Sequence, residues 1–270
     1  MPPGAAQRYR VPRDACVRVH SGPITYSRPV ADNEVLRIED DGAVRLLTLD
    51  RPEARNAFNR ELYDAVRMAL EEAAADDSVT VCVITGAGDI FSAGQDLKAL
   101  KGIKDDPEAA KGFDPFVRVL AAFDKPLIAA VNGAAVGIGT TLLPHCDLVL
   151  VSDTARFKLP FVALGLVPEA ASSLLLPVVI GPQAAAHLLL TGDWMDAEEA
   201  VARGLAWKRF APQELLEETL GLARRIAASP LEALQNTKRL LQAARSEAVG
   251  AAMDREVAHL GEIVRRFVAS

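Results

Sequence analysis

Cysteine is scarce in this chain: Cys16, Cys82 and Cys146 are the only three in 270 residues. An odd, widely spaced set with no secretory apolar segment ahead of it argues against a disulfide framework and makes a reducing, cytoplasmic setting the expectation. Histidine is equally sparse. His20, His145, His187 and His259 never fall at ligand spacing with another His or Cys, so no metal site is expected. Aromatic residues make up 5% and the net charge is −6. The chain therefore offers neither the stacking surface nor the basic footprint that nucleic acid requires. Uninterrupted apolar runs are missing too. The uncharged stretch "PLIAAVNGAAVGIGTTLLPHC", residues 126–146, is broken by Asn132, Gly133, Gly137, Gly139, Thr140, Thr141 and Pro144. It reads as a buried strand, a glycine turn and a short buried helix rather than a membrane span.

What remains, 50% hydrophobic and 24% charged residues, is the composition of a globular protein with one large domain or two small ones. Residues 1–32 carry Arg8, Arg10, Arg13, Arg18 and Arg28 against Asp14 and Asp32, with no periodicity. They are expected to form an irregular arm; Pro2, Pro3, Pro12 and Pro23 argue against the amphipathic helix of a transit peptide. Order is expected from residue 33. "VLRIEDDGAVRLLTLD" alternates around Asp41-Gly42 as a β-hairpin does. Asn59 stands at the N-cap of "RELYDAVRMALEEAAA", whose Leu62, Ala65, Val66, Ala69 and Leu70 share one helical face. The apolar run "VTVCVITG" follows, then a helix around Phe113 to Phe123, the strand "LIAAVNG", a helix near Gly139 to Leu143 and the strand "LVLVS". Short apolar strands alternating with helices predict an α/β class with a buried, mostly parallel sheet. From Gly181 onward the periodicity is helical, which divides the chain into a core at 33–204 and a mainly helical region at 205–270.

Three segments invite a chemical reading. "ITGAGDIFSAGQDLKAL" has Gly86, Gly88 and Gly94 after a strand, but Phe91 occupies the place of the third glycine in a dinucleotide fingerprint, so that reading fails. "NGAAVGIGTT" is a second glycine-rich strand-to-helix turn. Two such turns in successive units are able to aim backbone N–H groups at one point, an oxyanion hole in outline. The third, "LGLVPEAASSLLLPVV", holds Glu169, the only formally charged side chain between Lys158 and Asp193. It either sits on a solvent-facing turn or lies in an apolar pocket, where desolvation makes a carboxyl group a usable proton carrier. His145 and Cys146, at the end of a buried helix, read as packing residues.

"FSAGQDL", "KPLIAAVNGAAVGIG", "CDLVLVSDTARFKLPFVALGLVPE" and "GLAWKRFAP" together resemble the crotonase, or enoyl-CoA hydratase/isomerase, superfamily, from about Val35 to the C-terminus. The resemblance implies a crotonase-like spiral of ββα units. It also implies a helical C-terminal trimerisation region, hence a homotrimer or dimer of trimers, and a substrate carried as a coenzyme A thioester with no permanently bound cofactor. It assigns the backbone N–H groups of Gln95 and Ile138 to the thioester oxygen. The two glutamates of a typical hydratase match Thr141 and Phe161 here, so two-carboxylate hydration is disfavoured. Glu169 falls where the Δ3,Δ2-enoyl-CoA isomerases place a single catalytic glutamate, which implies a 1,3-proton shift. Hydration, thioester hydrolysis and non-catalytic acyl-CoA binding stay open as alternatives. For the coenzyme, the resemblance points to Arg55, Ala57, Ala93, Asp96 and Leu97 in "RPEARNAFN" and "SAGQDL", with Lys238 and Arg239 as possible phosphate contacts. The acyl pocket is expected near "KGIKDDPEAAKGF".

Overall fold

The computed structural model describes residues 29–96 and 112–269. Leu97 and nearly all of "KGIKDDPEAAKGF" lie outside the described residues, as does the arm up to residue 28. The hairpin is present as β2 (Leu36–Asp41) and β3 (Val44–Leu49), antiparallel, with Asp41 facing Val44 and Gly42 in the left-handed region that the tight turn needs. Ahead of it β1 (Pro29–Asn33) pairs antiparallel with β2. Strand structure thus begins inside the segment expected to be irregular. "PVADN" shows no alternation because a two-strand ladder satisfies backbone groups whatever the side chains are.

Helix α1 (Arg60–Ala75) starts where Asn59 Oδ1 accepts the Leu62 N–H at 3.0 Å, and it buries Leu62, Tyr63, Ala65, Val66, Ala69, Leu70 and Ala73. Its C-terminal carbonyls would otherwise be orphaned. Lys125, fully buried, donates through Nζ to the carbonyls of Ala73, Asp76 and Val79 at 2.7–2.8 Å.

The expected repetition follows. Each of three strands, β4 (Val81–Gly86), β6 (Leu127–Val131) and β8 (Leu148–Ser152), is followed within a few residues by a short strand, β5 (Ile90–Ser92), β7 (Ala134–Val136) and β9 (Arg156–Lys158). The long strands join a seven-stranded sheet of order β1-β2-β3-β4-β6-β8-β11, parallel from β3 onward. The short ones form a second sheet of order β10-β9-β7-β5. Each repeat therefore climbs from one sheet to the other and back, which makes a spiral. The remaining strands, β10 (Met195–Asp196) and β11 (Lys208–Phe210), interrupt the region expected to be helical from Gly181. The Trp207 N–H bonds the Val149 carbonyl at 2.8 Å and aligns β11 beside β8. A three-residue edge strand is too short to register in hydrophobic periodicity.

Helices α2 (Phe113–Ala122), α3 (Ile138–Thr141), α4 (Ser172–Ile180), α5 (Pro182–Thr191), α6 (Ala197–Arg203), α7 (Leu215–Ala227), α8 (Leu231–Ala243) and α9 (Ser246–Ala269) complete the described chain. Every position of β3, β4 and β6 is buried, because the sheet is covered on both faces. Val44, Leu46, Val81, Val83, Ile128 and Ala130 pack against Leu215, Leu220 and Ala223 of α7. The alternate residues, Leu47, Leu49, Ile84 and Ala129 among them, join the larger core with α1 and α2. Among the described residues no helix is long and apolar enough to cross a membrane, and no three His, Cys, Asp or Glu residues gather as a metal-binding group.

Candidate active site

The two glycine turns meet. Gly94 has φ +87°, and a Cβ there would lie 2.5 Å from the Val136 carbonyl and 3.6 Å from Gly137 Cα. Glycine is required for that approach and that conformation together. Ser92 sets the first turn: its hydroxyl donates to the Asn56 carbonyl at 2.8 Å and accepts the Gly94 N–H at 3.1 Å. Phe58 N–H donates to Gly94 O at 2.7 Å and Asp96 N–H to Phe58 O at 2.8 Å. This parallel bridge uses the peptide groups on either side of Gln95. The second turn hangs from the Gly137 N–H, which donates to Lys158 O at 2.9 Å. Gln95 and Ile138 each follow one of the touching glycines. Among the described residues neither of their backbone N–H groups has an acceptor. Two unpaired donors beside a glycine contact are suited to a developing oxyanion.

Glu169 lies in the buried segment before α4, 9% exposed. The Thr141 hydroxyl, at the end of α3, donates to its Oε1 at 2.6 Å, while Oε2 is buried with no hydrogen-bond partner among the described residues. Burial pushes its pKa up to about 8; the Thr141 hydrogen bond works in the opposite direction, and the charge of Glu256 adds to the rise. A carboxyl group so placed changes protonation state at little cost near neutral pH, which is what proton transfer demands. The solvent-facing turn is thereby excluded. The backbone just beyond is unusual: Ala170 and Ala171 both take φ 56°, at roughly 1–2 kcal/mol each for a residue with a Cβ. Such strain persists only where the surroundings over-determine it. His145, neutral because burial lowers its pKa to about 4, contacts the Ala170 carbonyl through Nε2 at 2.8 Å. It is more than a packing residue. Cys146 is packing: burial raises its thiol to about 12.

The half-buried Gln95 side chain accepts the Tyr63 hydroxyl at 2.7 Å. Tyr63 is buried against Phe58, Phe113 and Phe116. Desolvation, with Glu169 adding to it, holds its phenol well above the usual range and hence protonated.

The proposed coenzyme residues form one laced surface. Asn56, fully buried, donates to the carbonyls of Ala87 and Ile90, and Ala93 N–H donates to Arg55 O. Arg51 was not singled out from the sequence, yet its guanidinium donates to the Ala57 carbonyl and pairs with Asp96 at 3.4 Å. Asp96 is therefore tied to Arg51 and Phe58, and Arg55 is exposed nearby in sequence. The structure thus brings Arg55, Ala57, Ala93 and Asp96 into one neighbourhood; Leu97 is outside the described residues. Lys238 is a correction. It is buried, and its Nζ donates to Lys125 O at 2.7 Å and to Asp147 at 2.8 Å, so it is internal structure and not a phosphate contact. Arg239, more exposed, pairs with Asp124 at 2.5 Å.

Known proteins resemble this chain in sequence and in fold. Residues 39–266 match the enoyl-CoA hydratase/isomerase family model. The chain is 39% identical over 205 residues to a probable enoyl-CoA hydratase of Rhizobium meliloti (strain 1021), covering 76% of this chain and 80% of that one. It is 35% identical over 230 residues to enoyl-CoA delta isomerase 2 of Rattus norvegicus, covering 83% of this chain and 59% of that one. The solved enoyl-CoA hydratase/isomerase of Pseudoalteromonas atlantica T6c superposes with a TM-score of 0.80 at 39% identity, covering 85% of this chain and 91% of that one. With the two-sheet spiral, the paired glycine turns and these matches in agreement, the chain belongs to the enoyl-CoA hydratase/isomerase family, whose substrates are coenzyme A thioesters.

Proposed function

We propose that this protein isomerises 3-enoyl-CoA to 2-enoyl-CoA. Glu169 as carboxylate takes a proton from C2. The electron pair moves onto the thioester oxygen, to which the N–H groups of Gln95 and Ile138 donate hydrogen bonds, and the now neutral Glu169 returns the proton at C4 as the double bond shifts into conjugation. The observation that carries this reading is the buried carboxyl group of Glu169, held at one oxygen by Thr141 with the other oxygen unpaired among the described residues. One proton carrier is enough for a 1,3-shift. Hydration needs two, and the positions that would supply them are Thr141 and Phe161.

Hydration is the second reading, because hydratases stand beside isomerases among the relatives. The test is formation of conjugated 2-enoyl thioester from a 3-enoyl-CoA, run beside hydration of a 2-enoyl-CoA, for wild type and Glu169→Gln. Isomerisation that drops by roughly a hundredfold to ten-thousandfold in the variant, as loss of a general base predicts, supports the proposal. Undiminished turnover in Glu169→Gln refutes it. The same reading includes a homotrimer or dimer of trimers, supported by the exposed apolar Leu190, Leu240 and Leu241 and checked by sedimentation velocity. It also includes a reducing cytoplasmic setting, supported by the unpaired thiols of Cys82 and Cys146.

A further inference from the structure

The turn that follows Glu169 has one hydrogen bond of its own, from the Ser172 N–H to the Glu169 carbonyl at 3.0 Å. Ala170 and Ala171 are both left-handed, and α4 begins immediately after them, with its first N–H groups lacking intrahelical acceptors. A side chain from the far end of the sequence supplies those acceptors. Glu256, on α9 and 6% exposed, takes the Ala171 N–H on Oε2 at 2.7 Å and the Ser173 N–H on Oε1 at 2.9 Å, and the Ser173 hydroxyl donates to the same Oε1. Both oxygens accept, as a carboxylate's do. On the other side of the turn, His145 contacts the Ala170 carbonyl. The base is thus gripped at three points: Thr141 on its carboxyl group, His145 on the peptide after it, and Glu256 on the peptides after that.

Thr141 and His145 are neutral, whereas Glu256 brings a charge. Glu169 and Glu256 line the same small pocket, about 10 Å³, together with Phe113, Val117 and Met253, room for roughly one water. The polar and titratable groups disposed about Glu169 are Tyr63 from α1, Asp114 from α2, Thr141 from α3, His145 from the turn after it and Glu256 from α9. Glu256 is the carboxylate among them that acts electrostatically on Glu169. We infer that Glu256 is a positioning residue of the reaction, fixing the left-handed Ala170–Ala171 turn that aims Glu169 and facing the base with a second negative charge. This rests on Glu169 being the proton carrier.

The experiment is the pH–rate profile of 3-enoyl-CoA isomerisation for wild type, Glu256→Gln and Glu256→Asp. Deuterium uptake at C2 of a saturated acyl-CoA in D₂O is measured in parallel. Glu256→Gln removes the charge and sets an NH₂ against N–H donors. Its plateau rate should fall roughly tenfold to a hundredfold, the cost of a misplaced catalytic group, with KM changed less than about threefold, and the acid limb should move to lower pH by about one pH unit. Glu256→Asp keeps the charge but not the reach, so its plateau falls while its limb stays in place. A residue that merely held the helices together would lower the melting temperature without moving the limb. An unmoved limb or an unchanged plateau in Glu256→Gln overturns the inference. Should Glu256→Gln fail to fold, a wild-type plateau in Glu256→Asp overturns it equally. If the wild type exchanges C2 deuterium yet forms no 2-enoyl product, the isomerase reading fails while the exchange profile still tests Glu256. If Glu169→Gln exchanges as fast as wild type, the premise of both is gone.

Discussion

Replacing Glu169 by Gln should stabilise the protein, and by an amount that grows with pH. The side chains are nearly isosteric, and the Gln oxygen is able to keep the Thr141 hydroxyl at the 2.6 Å contact that Oε1 makes now. What changes is the charge. In the fold Glu169 titrates at about 8, against an ordinary 4.5, so between those values the native protein binds a proton that the unfolded chain has released. Native stability therefore declines as pH rises through that window and levels off above 8. The interval of roughly 3.5 pH units, at about 1.36 kcal/mol per unit, sets an upper bound of about 5 kcal/mol. Relaxation around a buried charge reduces this to about 2–5 kcal/mol. At pH 5 Glu169 is neutral in the fold and the penalty is about 1 kcal/mol or less. Urea unfolding of both proteins at pH 5, 7 and 9, at one protein concentration, should show the advantage of Glu169→Gln widening by about 2–4 kcal/mol across the range. An advantage that stays flat within about 0.5 kcal/mol would refute the raised pKa, and with it the claim that burial tunes this group.

Thr141→Val withdraws the donor that favours the carboxylate, so the acid limb of the isomerisation profile should move to higher pH, opposite to Glu256→Gln, and the rate at pH 7 should drop while KM holds. Gly94→Ala places a Cβ 2.5 Å from the Val136 carbonyl at φ +87°; kcat should fall by roughly a hundredfold to a thousandfold as the two turns separate, with the helical circular dichroism retained. Lys125→Met strands three carbonyls that Nζ now satisfies, and urea unfolding should show a loss of about 3 kcal/mol or more. Lys238→Met should cost about 2–4 kcal/mol of stability yet leave the Kd for a coenzyme A thioester, measured by calorimetry, unchanged within about twofold; a large loss of affinity would restore the lysine to the coenzyme.

Local signals were legible. Asn59 capping α1, the turn at Asp41-Gly42 and the apolar runs of β4, β6 and β8 all appear where the sequence places them, because caps, turns and fully buried strands depend on their immediate neighbours. Glu169 stood out because charge is missing around it. The buried charged side chains that act at long range did not. Lys125 acts on carbonyls at Ala73, Asp76 and Val79, and Glu256 reaches Ala171 and Ser173 across the core. On its own helix Glu256 is one acid among several, and no local pattern separates a solvated glutamate from one that accepts buried N–H groups. The left-handed alanines were equally hidden, since alanine gives no hint of positive φ and only the bonds on either side explain it. β1 and β11 were missed for a related reason: their order comes from a neighbouring strand's open edge, not from their own side chains.

Thr141 shows how a missing residue carries information. By the sequence resemblance its position corresponds to one of the two glutamates of a typical hydratase, and here it donates a hydrogen bond to the Glu169 carboxyl group. In the proposed reaction this ties base and oxyanion hole together through one element. Ile138, whose N–H is proposed to donate to the oxygen, opens α3, and Thr141 closes it; one helical turn, about 5 Å of rise, separates them. That turn is itself wedged in place. A Cβ on Gly139 would stand 3.0 Å from Ser92 Cβ, and Ser92 holds the Gly94 N–H, so α3 sits directly on the loop that presents Gln95. The spacing of the two turns that carry Gln95 and Ile138 is therefore set by contacts that leave no space for a methyl group to enter without displacement. A 1,3-proton shift needs that rigidity, because the same carboxyl group must reach C2 and then C4 while the oxygen stays where it is. Displacing α3 would move base and hole donor together, whereas loss of the Thr141 hydroxyl would free the base alone. The two kinds of change should accordingly separate in the kinetics, the first lowering C2 deuterium exchange and isomerisation equally, the second shifting their common pH dependence.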